Sequence, residues 1–372
     1  MSGTESKTPV SELSDEMLDS VKKSLAYFLD LVKAGRFSPC ISFEDSSRKK
    51  PLDFHCITLS QFKYIKTFFS TNEMLDVFYS QKDSLERLAQ KKSHLIKLLS
   101  NSIDRVKKKI SLHNETLREV ADRETLKLYG ELIIANLHAI APGSKSARLL
   151  NYYSENGDYV DIPLDANITP QKNAQKYFKK YAKAKSAFSY ANMELDKAKK
   201  ELDYLESVLH ALEECTSASE IEEIKQELSA EGYIHTVKKR SGKKDEQTSM
   251  PLYFRSSDGF DIYVGKNNRQ NDMLTFKKSK PDDIWLHAKN TPGSHVIVET
   301  QGHAASDTTL TEAAILAAYF SKGRNSSNVP VDYTLVRHVK KPSGAKPGFV
   351  IYFNQKTLYV TPDEKTVDKL SF

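Results

Sequence analysis

Only three cysteines occur in 372 residues, Cys40, Cys56 and Cys215, widely spaced and with no Cys-x-x-Cys pair. That scarcity excludes a disulfide framework and a cysteine-built zinc module, and it predicts reduced, structural thiols. Long apolar runs are missing too, none approaching the roughly 20 residues a membrane helix needs. The opening MSGTESKTPVSELSDE has no basic stretch followed by an apolar core. A standard secretion signal is therefore not read there, and a cytoplasmic protein away from membranes is expected. Neither a Gly-x-Ser-x-Gly elbow nor a Walker phosphate loop is present. Ser294 beside His295 is an adjacency that seldom gives nucleophile and base geometry, and Asp282 and Asp283 read as neighbours on a solvated turn. No catalytic residue and no cofactor is assigned.

What is present is apolar mass for real cores, 39% hydrophobic residues against 28% charged, enough for two or three domains. The net charge of +6 is unevenly placed. Residues 251–372 carry 16 basic and 12 acidic side chains, residues 235–250 carry five and two, and the first 234 are nearly balanced. A positive excess at one end points to an anionic partner, and nucleic acid is the commonest large anion in a cytosol.

Residues 1–72 read as a helix from about Asp15 to Lys33 followed by short extended pieces. Val21, Leu25, Phe28, Leu29 and Val32 recur at helical spacing, and Gly35 stands where a C-terminal cap belongs. FSPCISF and FHCITL then suit a small hairpin. Residues 73–234 read as a long arm. Tyr177, Tyr181, Ala184, Phe188, Ala191, Leu195, Ala198, Leu202, Leu205, Leu209 and Leu212 step by four and three, the 3.5-residue period of a left-handed coiled coil. Leu85, Leu88, Leu95, Leu99, Ile103, Val106, Ile110, Leu117 and Val120 supply a partner seam. The insert at 142–169 carries ENGD between aromatic-rich segments, a hairpin signal, and Thr169-Pro170 opens the second helix. Heptads alone are equally compatible with a dimerisation rod; the insert favours an antiparallel intramolecular hairpin. Residues 235–250 are a basic linker without an apolar face.

Residues 251–372 read as an α+β domain: strands FDIYVG, DMLTFK, DIWLHA and HVIVET, a helix near Thr311 to Phe320 capped by Asp307 or Thr308, then strands DYTLVRHV, GFVIYF and TLYVTP. Its loops concentrate donors. Lys266, Asn267, Asn268 and Arg269 put amides and two cations in one turn, a set suited to phosphate, ribose and base edges, although a plain turn also favours Asn. Trp285 and His287 share one strand face, so the indole is either a base-stacking platform or a core anchor. Lys289, Ser294 and His295 follow, then Arg324 and Asn325. His287 and His295 lack a third metal ligand at a recognisable spacing. Lys340, Lys341 and Lys346, set among glycines in KKPSGAKPG, are the strongest phosphate candidates, since glycine lets backbone N–H groups approach an anion.

RSSDGFDIYVGKNNRQND, WLHAKNTPGSHV, RNSSNVPVDYTLV, KKPSGAKPG and NQKTLYVTP, in that order, resemble the RNA-binding module of the NFACT family, the ribosome quality-control factors of the bacterial RqcH type, first described as fibronectin-binding protein A. LYGELIIANLHAI and IPLDANITPQKNAQKYFKKYAKAK are similar to its coiled-coil region, and FSPCISFEDSSRKKPLDFHCITLSQF to the segment before it. The resemblance implies that residues 1–72 are the remnant of a helix-hairpin-helix region and that most of the family's N-terminal domain, with its part in tRNA selection, lies outside this chain or on a separate one. It further implies binding of tRNA and of the large ribosomal subunit carrying peptidyl-tRNA, with rRNA and stalk-base proteins met by the coiled coil, in support of C-terminal alanine tailing. The alternatives are a fibronectin-binding adhesin, for which no signal peptide or anchor is read, and a nucleic-acid-processing enzyme using His287 or His295.

Overall fold

The computed structural model describes residues 14–45, 48–59, 61–234 and 249–371. The polar lead and nearly all of the basic linker expected at 235–250 lie outside the described residues. Compactness divides the chain after Ser93 into two units. Among the described residues no helix is long and apolar enough to cross a membrane.

The first unit opens with α1 (Asp15–Lys33), whose start is set by Ser14 accepting from Met17 N–H and whose end is followed by Gly35 at φ +62°. The expected amphipathic helix is there, yet it buries none of its residues. Strands β1 (Cys40–Phe43), β2 (Pro51–His55) and β3 (Tyr64–Thr67) form an antiparallel sheet in the order β2-β1-β3. The central strand is buried along its length, and Ile41 and Phe43 pack on Met74 and Phe78. A hairpin forms as the sequence predicts, but its second strand is Pro51–His55, overlapping the expected FHCITL only at Phe54 and His55; β3, short and half polar, is an addition to it. Met74 and Phe78 belong to α2 (Thr71–Glu119), which continues into the second unit.

There Leu95, Leu99, Ile103 and Val106 are buried, while Leu85, expected in the same seam, is exposed. The buried seam is shorter than the heptads predict; its partner is α4 (Pro170–Glu214). Pairing is antiparallel: Lys109 meets Glu194 at 2.7 Å and Lys107 meets Glu206 at 3.3 Å. Ala191, Leu195, Ala198, Leu205 and Leu212 fill the seam from α4, a helix about 68 Å long at 1.5 Å per residue. Thr169 caps it by accepting from Lys172 N–H, with Pro170 in its first turn, as expected. A break after α2 admits α3 (Arg123–Ala135), where Gly130 lets the helix lie against Phe178; a Cβ there would stand 2.9 Å from that ring. The insert is the hairpin of β4 (Ser146–Leu150) and β5 (Tyr159–Pro163), seated on Leu132, Ile133 and Tyr177. After α4 comes α5 (Ala218–Ala230), opened by a capping box in which Ser217 and Glu220 bond each other's backbone.

The C-terminal domain is a six-stranded antiparallel sheet in the order β13-β10-β8-β9-β7-β6, built from β6 (Leu252–Arg255), β7 (Asp261–Val264), β8 (Ile284–Ala288), β9 (Val296–Glu299), β10 (Val329–Leu335) and β13 (Lys356–Val360). A two-stranded ribbon, β11 (Val339–Lys340) with β12 (Ile351–Tyr352), is hydrogen-bonded separately from that sheet. On the sheet's aliphatic face, Ile284, Leu286 and Ala288 pack with α7 (Asp307–Tyr319) and α8 (Glu364–Leu370). Ser306, not Asp307 or Thr308, caps α7, accepting from Thr309 N–H. The expected strand DMLTFK is instead α6 (Asn268–Met273) followed by a π-helical turn, Leu274–Lys278. Asn267 accepts from Gln270 N–H and so starts a helix where apolar alternation alone reads as extended chain.

Candidate nucleic-acid interface

Around Trp285 the sheet's second face is closed. The indole is fully buried and packs with Leu274, Ile297, Val336 and Val339, while Tyr352 tilts against it with ring centroids 4.8 Å apart. His287 stacks on it at 5.8 Å and His295 meets it edge-on at 5.2 Å. Thr275 Oγ1 lies 2.8 Å from His295 Nδ1, and Asn271 Oδ1 accepts from His295 N–H at 3.0 Å. Burial pushes the His287 imidazole down to about 4, and it holds His295 well below its ordinary value, so both rings are neutral at pH 7. Of the two places the sequence allows Trp285, the structure gives it the core anchor, because Val336, the ribbon residues Val339 and Tyr352, and Leu274 of the π-turn cover the strand on that side.

In the turn Lys266 to Arg269 only Arg269 is exposed; Asn267 and Asn268 are buried and Lys266 is half-buried. Lys266 Nζ meets Glu220 Oε1 at 2.8 Å, Asn267 Nδ2 donates to Glu223 Oε2 at 2.7 Å, and Asn268 Nδ2 donates to Ser207 Oγ at 2.9 Å and Glu227 Oε1 at 3.1 Å. Arg269 Nη2 reaches Gln226 O at 3.2 Å. Burial pushes the Glu220 carboxyl up, but Lys266 and the Thr216 and Ser217 N–H groups outweigh it, leaving the group below the ordinary carboxylate range. Lys346 is held between the Tyr204 and Tyr233 rings, 4.4 and 4.3 Å from their centroids, and bonds the Tyr233 hydroxyl. Lys341 pairs with Asp272, whose Oδ1 also accepts from Gly348 N–H at 3.2 Å. Gly348 is required there, since a Cβ would stand 2.5 Å from Asn268 Oδ1. Three of the four loops singled out in the sequence thus touch α4 or α5, for Arg324 lies 3.8 Å from Glu214 and stacks on Tyr319. The remaining candidates are apart: Lys289 pairs with Asp332 at 3.5 Å, Ser294 N–H donates to Phe320 O at 3.0 Å, and Asn325 is exposed.

An open cationic surface does exist, and Lys340 is the only sequence candidate on it. Lys340 is exposed and pairs in register with Ile351. Beside this ribbon Arg337 N–H donates to Pro281 O at 3.1 Å and Val336 N–H to Asp283 O at 2.9 Å, which ties the segment to the π-turn region. Phe276, Lys277, Lys278 and Lys280 are exposed on that region, and Ile351 and Phe353 on the ribbon side. Arg337 pairs with Asp282 at 2.7 Å, an exposed pair of little strength that leaves the cation free to exchange partners. Asp283, expected in solvent, is buried, and its carboxylate accepts from Lys280 and Thr300 N–H at 2.7 and 3.0 Å. It organises the turn that displays the lysines. The run FKKSK was a signal available in the sequence, hidden by reading DMLTFK as a strand.

Residues 1–247 match the NFACT N-terminal and middle domains, and residues 250–352 match the NFACT protein RNA binding domain. The chain belongs to the NFACT family. It is 41% identical over 352 residues to the Rqc2 homolog RqcH of Bacillus subtilis, covering 94% of this chain and 60% of that protein. It is 41% identical over 304 residues to the RqcH of Streptococcus suis, covering 82% and 54% respectively. The chain therefore spans little more than half the length of these curated NFACT relatives. A more distant similarity, 24% over 332 residues, is to a Drosophila melanogaster protein described as a ribosome quality control complex subunit NEMF homolog. Among solved structures, the C-terminal part of the fibronectin/fibrinogen-binding protein of Streptococcus suis matches with a TM-score of 0.58 at 36% identity, covering 77% of this chain and all of that one.

Proposed function

We propose that this chain is an RNA-binding ribosome quality-control factor, and that its first contact with RNA is the face formed by Phe276, Lys277, Lys280, Arg337 and Lys340. The observation carrying this reading is that the module matching the NFACT RNA binding domain exposes cations and apolar side chains on two segments joined by the Val336 and Arg337 backbone hydrogen bonds. Lysines and arginine neutralise phosphates and release counterions, while a flat aromatic ring beside them offers a stacking surface. The arm of α2 and α4 sets the distance over which a second contact is made. By the likeness to RqcH and NEMF proteins, the particle bound is the large ribosomal subunit carrying peptidyl-tRNA, and the role is to support tRNA recruitment for C-terminal alanine tailing. The chain needs no chemistry of its own for this role, because the peptide bond is made by the ribosome.

Cosedimentation of the purified chain with isolated large subunits, with and without peptidyl-tRNA, tests the proposal. Enrichment on the peptidyl-tRNA particles is expected; failure to pellet with any particle at low ionic strength overturns it. A second reading follows from the likeness to the fibronectin/fibrinogen-binding protein of Streptococcus suis, and retention on immobilised fibronectin together with no RNA binding would favour it.

A further inference from the structure

Between Glu201 and Glu231 the chain carries ten acidic residues and a single basic one, Lys225. These carboxylates meet the very donors that a nucleic-acid strand would seek. Glu220, Glu223 and Glu227 recur on one face of α5 and receive Lys266, Asn267 and Asn268 in order. Gln270 Nε2 adds a 3.4 Å contact to Glu223. On α4, Glu214 lies 3.8 Å from Arg324 and Glu206 4.0 Å from Lys322. Glu201 accepts from Tyr233 at 3.2 Å, and Tyr233 holds Lys346. Guanidinium, ammonium and side-chain amide groups bind carboxylate and phosphate oxygens with the same geometry.

From this we propose that the acidic end of the arm is an internal mimic of RNA, which docks on the module and shields Lys266, Asn267, Asn268 and Lys346 until a nucleic acid displaces it. The inference rests on the RNA-binding reading above and adds an autoinhibitory contact to it. Interfaces within a chain that are built from polar and ionic contacts separate more readily than apolar ones, and this one is made largely of charge-assisted hydrogen bonds. The open lysines, Lys277, Lys280 and Lys340, are not engaged by α5 and stay available for the first encounter. A polyanion captured there competes with the glutamates at high local concentration. Two binding states follow: a weak one through the open face, and a tight one in which the Lys266–Arg269 turn and Lys346 join it.

The test uses the full chain, with unfractionated tRNA as the probe. In the Glu220→Gln, Glu223→Gln, Glu227→Gln triple variant, glutamine preserves side-chain length and the α5 capping box but removes the negative charges. The variant is expected to bind tRNA about tenfold more tightly at equal salt, with a salt slope steeper by about 1 to 2 units as further phosphates are neutralised. Unchanged affinity and slope in a variant with a wild-type melting profile would overturn the mimic while leaving RNA binding intact. Absence of binding by both proteins would instead remove the underlying reading. Should the variant fold poorly, hydrogen exchange on the wild-type chain decides: tRNA should speed exchange across residues 218–230 and slow it across 266–270. No change in either segment overturns the displacement.

Discussion

The Asn268 side-chain amide donates to Glu227 Oε1 at 3.1 Å, joining the first turn of α6 to a carboxylate only 1% exposed. Burial pushes that carboxyl up to about 7, against the pull of Asn268, the Tyr204 hydroxyl and Arg269, and with a further push from Glu231. A carboxyl whose folded value is raised holds its proton more tightly in the folded chain than in the unfolded one. Its contribution is complete below the ordinary carboxylate range and is lost as pH rises through about 7. Glu220 has the opposite sign, but its effect falls at the acid end, below its ordinary value. Buried His287 and His295, held below their ordinary range, act with the opposite sign and add stability as pH rises toward about 6.5, so Glu227 is read from a difference: the melting temperature of Glu227→Gln relative to the wild type should rise between about pH 5 and pH 7. A constant difference between the two proteins across a pH series of thermal melts would contradict the assignment.

Trp285→Phe separates a core role from an RNA-stacking one. The indole is fully buried, and its Nε1 makes no hydrogen bond within the protein, so the substitution removes packed volume without stranding a partner. A loss of about 1–3 kcal/mol follows from the cavity left among Leu274, Ile297 and Val339. At a temperature where both proteins are folded, tRNA affinity should match the wild type. Weakened binding at unchanged stability would return the indole to the RNA surface.

Gly130 and Phe178 fix how closely α3 lies on α4. A valine at position 130 places branched atoms against a ring 2.9 Å from where its Cβ must stand, costing about 1–3 kcal/mol. Alanine gains helix propensity of about 1 kcal/mol, which offsets a small shift of the ring, so Gly130→Ala should be nearly neutral. In a Phe178→Ala background the valine should cost markedly less. A double-mutant cycle by chemical denaturation that showed additive effects would place the strain elsewhere.

Local spacing made much of this legible. The limits of α1, the Thr169-Pro170 start of α4 and the hairpin insert follow from caps, turns and periods that act within a few residues. The alternation that separates Trp285 from Ile284 and Leu286 was equally plain, but not that the indole side would be roofed, because Leu274 and Val339 come from segments remote in sequence. The loops were harder for a chemical reason. An asparagine or lysine suited to phosphate is equally suited to glutamate, so Lys266, Asn268 and Lys346 look ligand-facing until their partners on α4, α5 and Tyr233 are seen. The acidic run at 201–231 was the visible signal, masked by the heptads of the same helix. Leu85 shows the converse error, a heptad position that is exposed.

The open face makes its own demand on salt dependence. Lys277, Lys280 and Lys340 are exposed, so replacing all three by alanine should leave the melting temperature nearly unchanged, surface substitutions of this kind lying within about 0.5 kcal/mol. Each lost phosphate contact on a single strand lowers the slope of log affinity against log salt by about 0.7. The triple variant should therefore bind tRNA with a slope smaller by about 2 and lose most of its affinity at low salt, where the wild type gains most. Lys369 on α8 provides the control: it is exposed and cationic but belongs to the helix whose Val367 and Leu370 pack on the sheet's aliphatic face, the face opposite Trp285. If Lys369→Ala lowered the slope as much as any one of the three, the contact would be a diffuse charge effect of the whole domain and not this face.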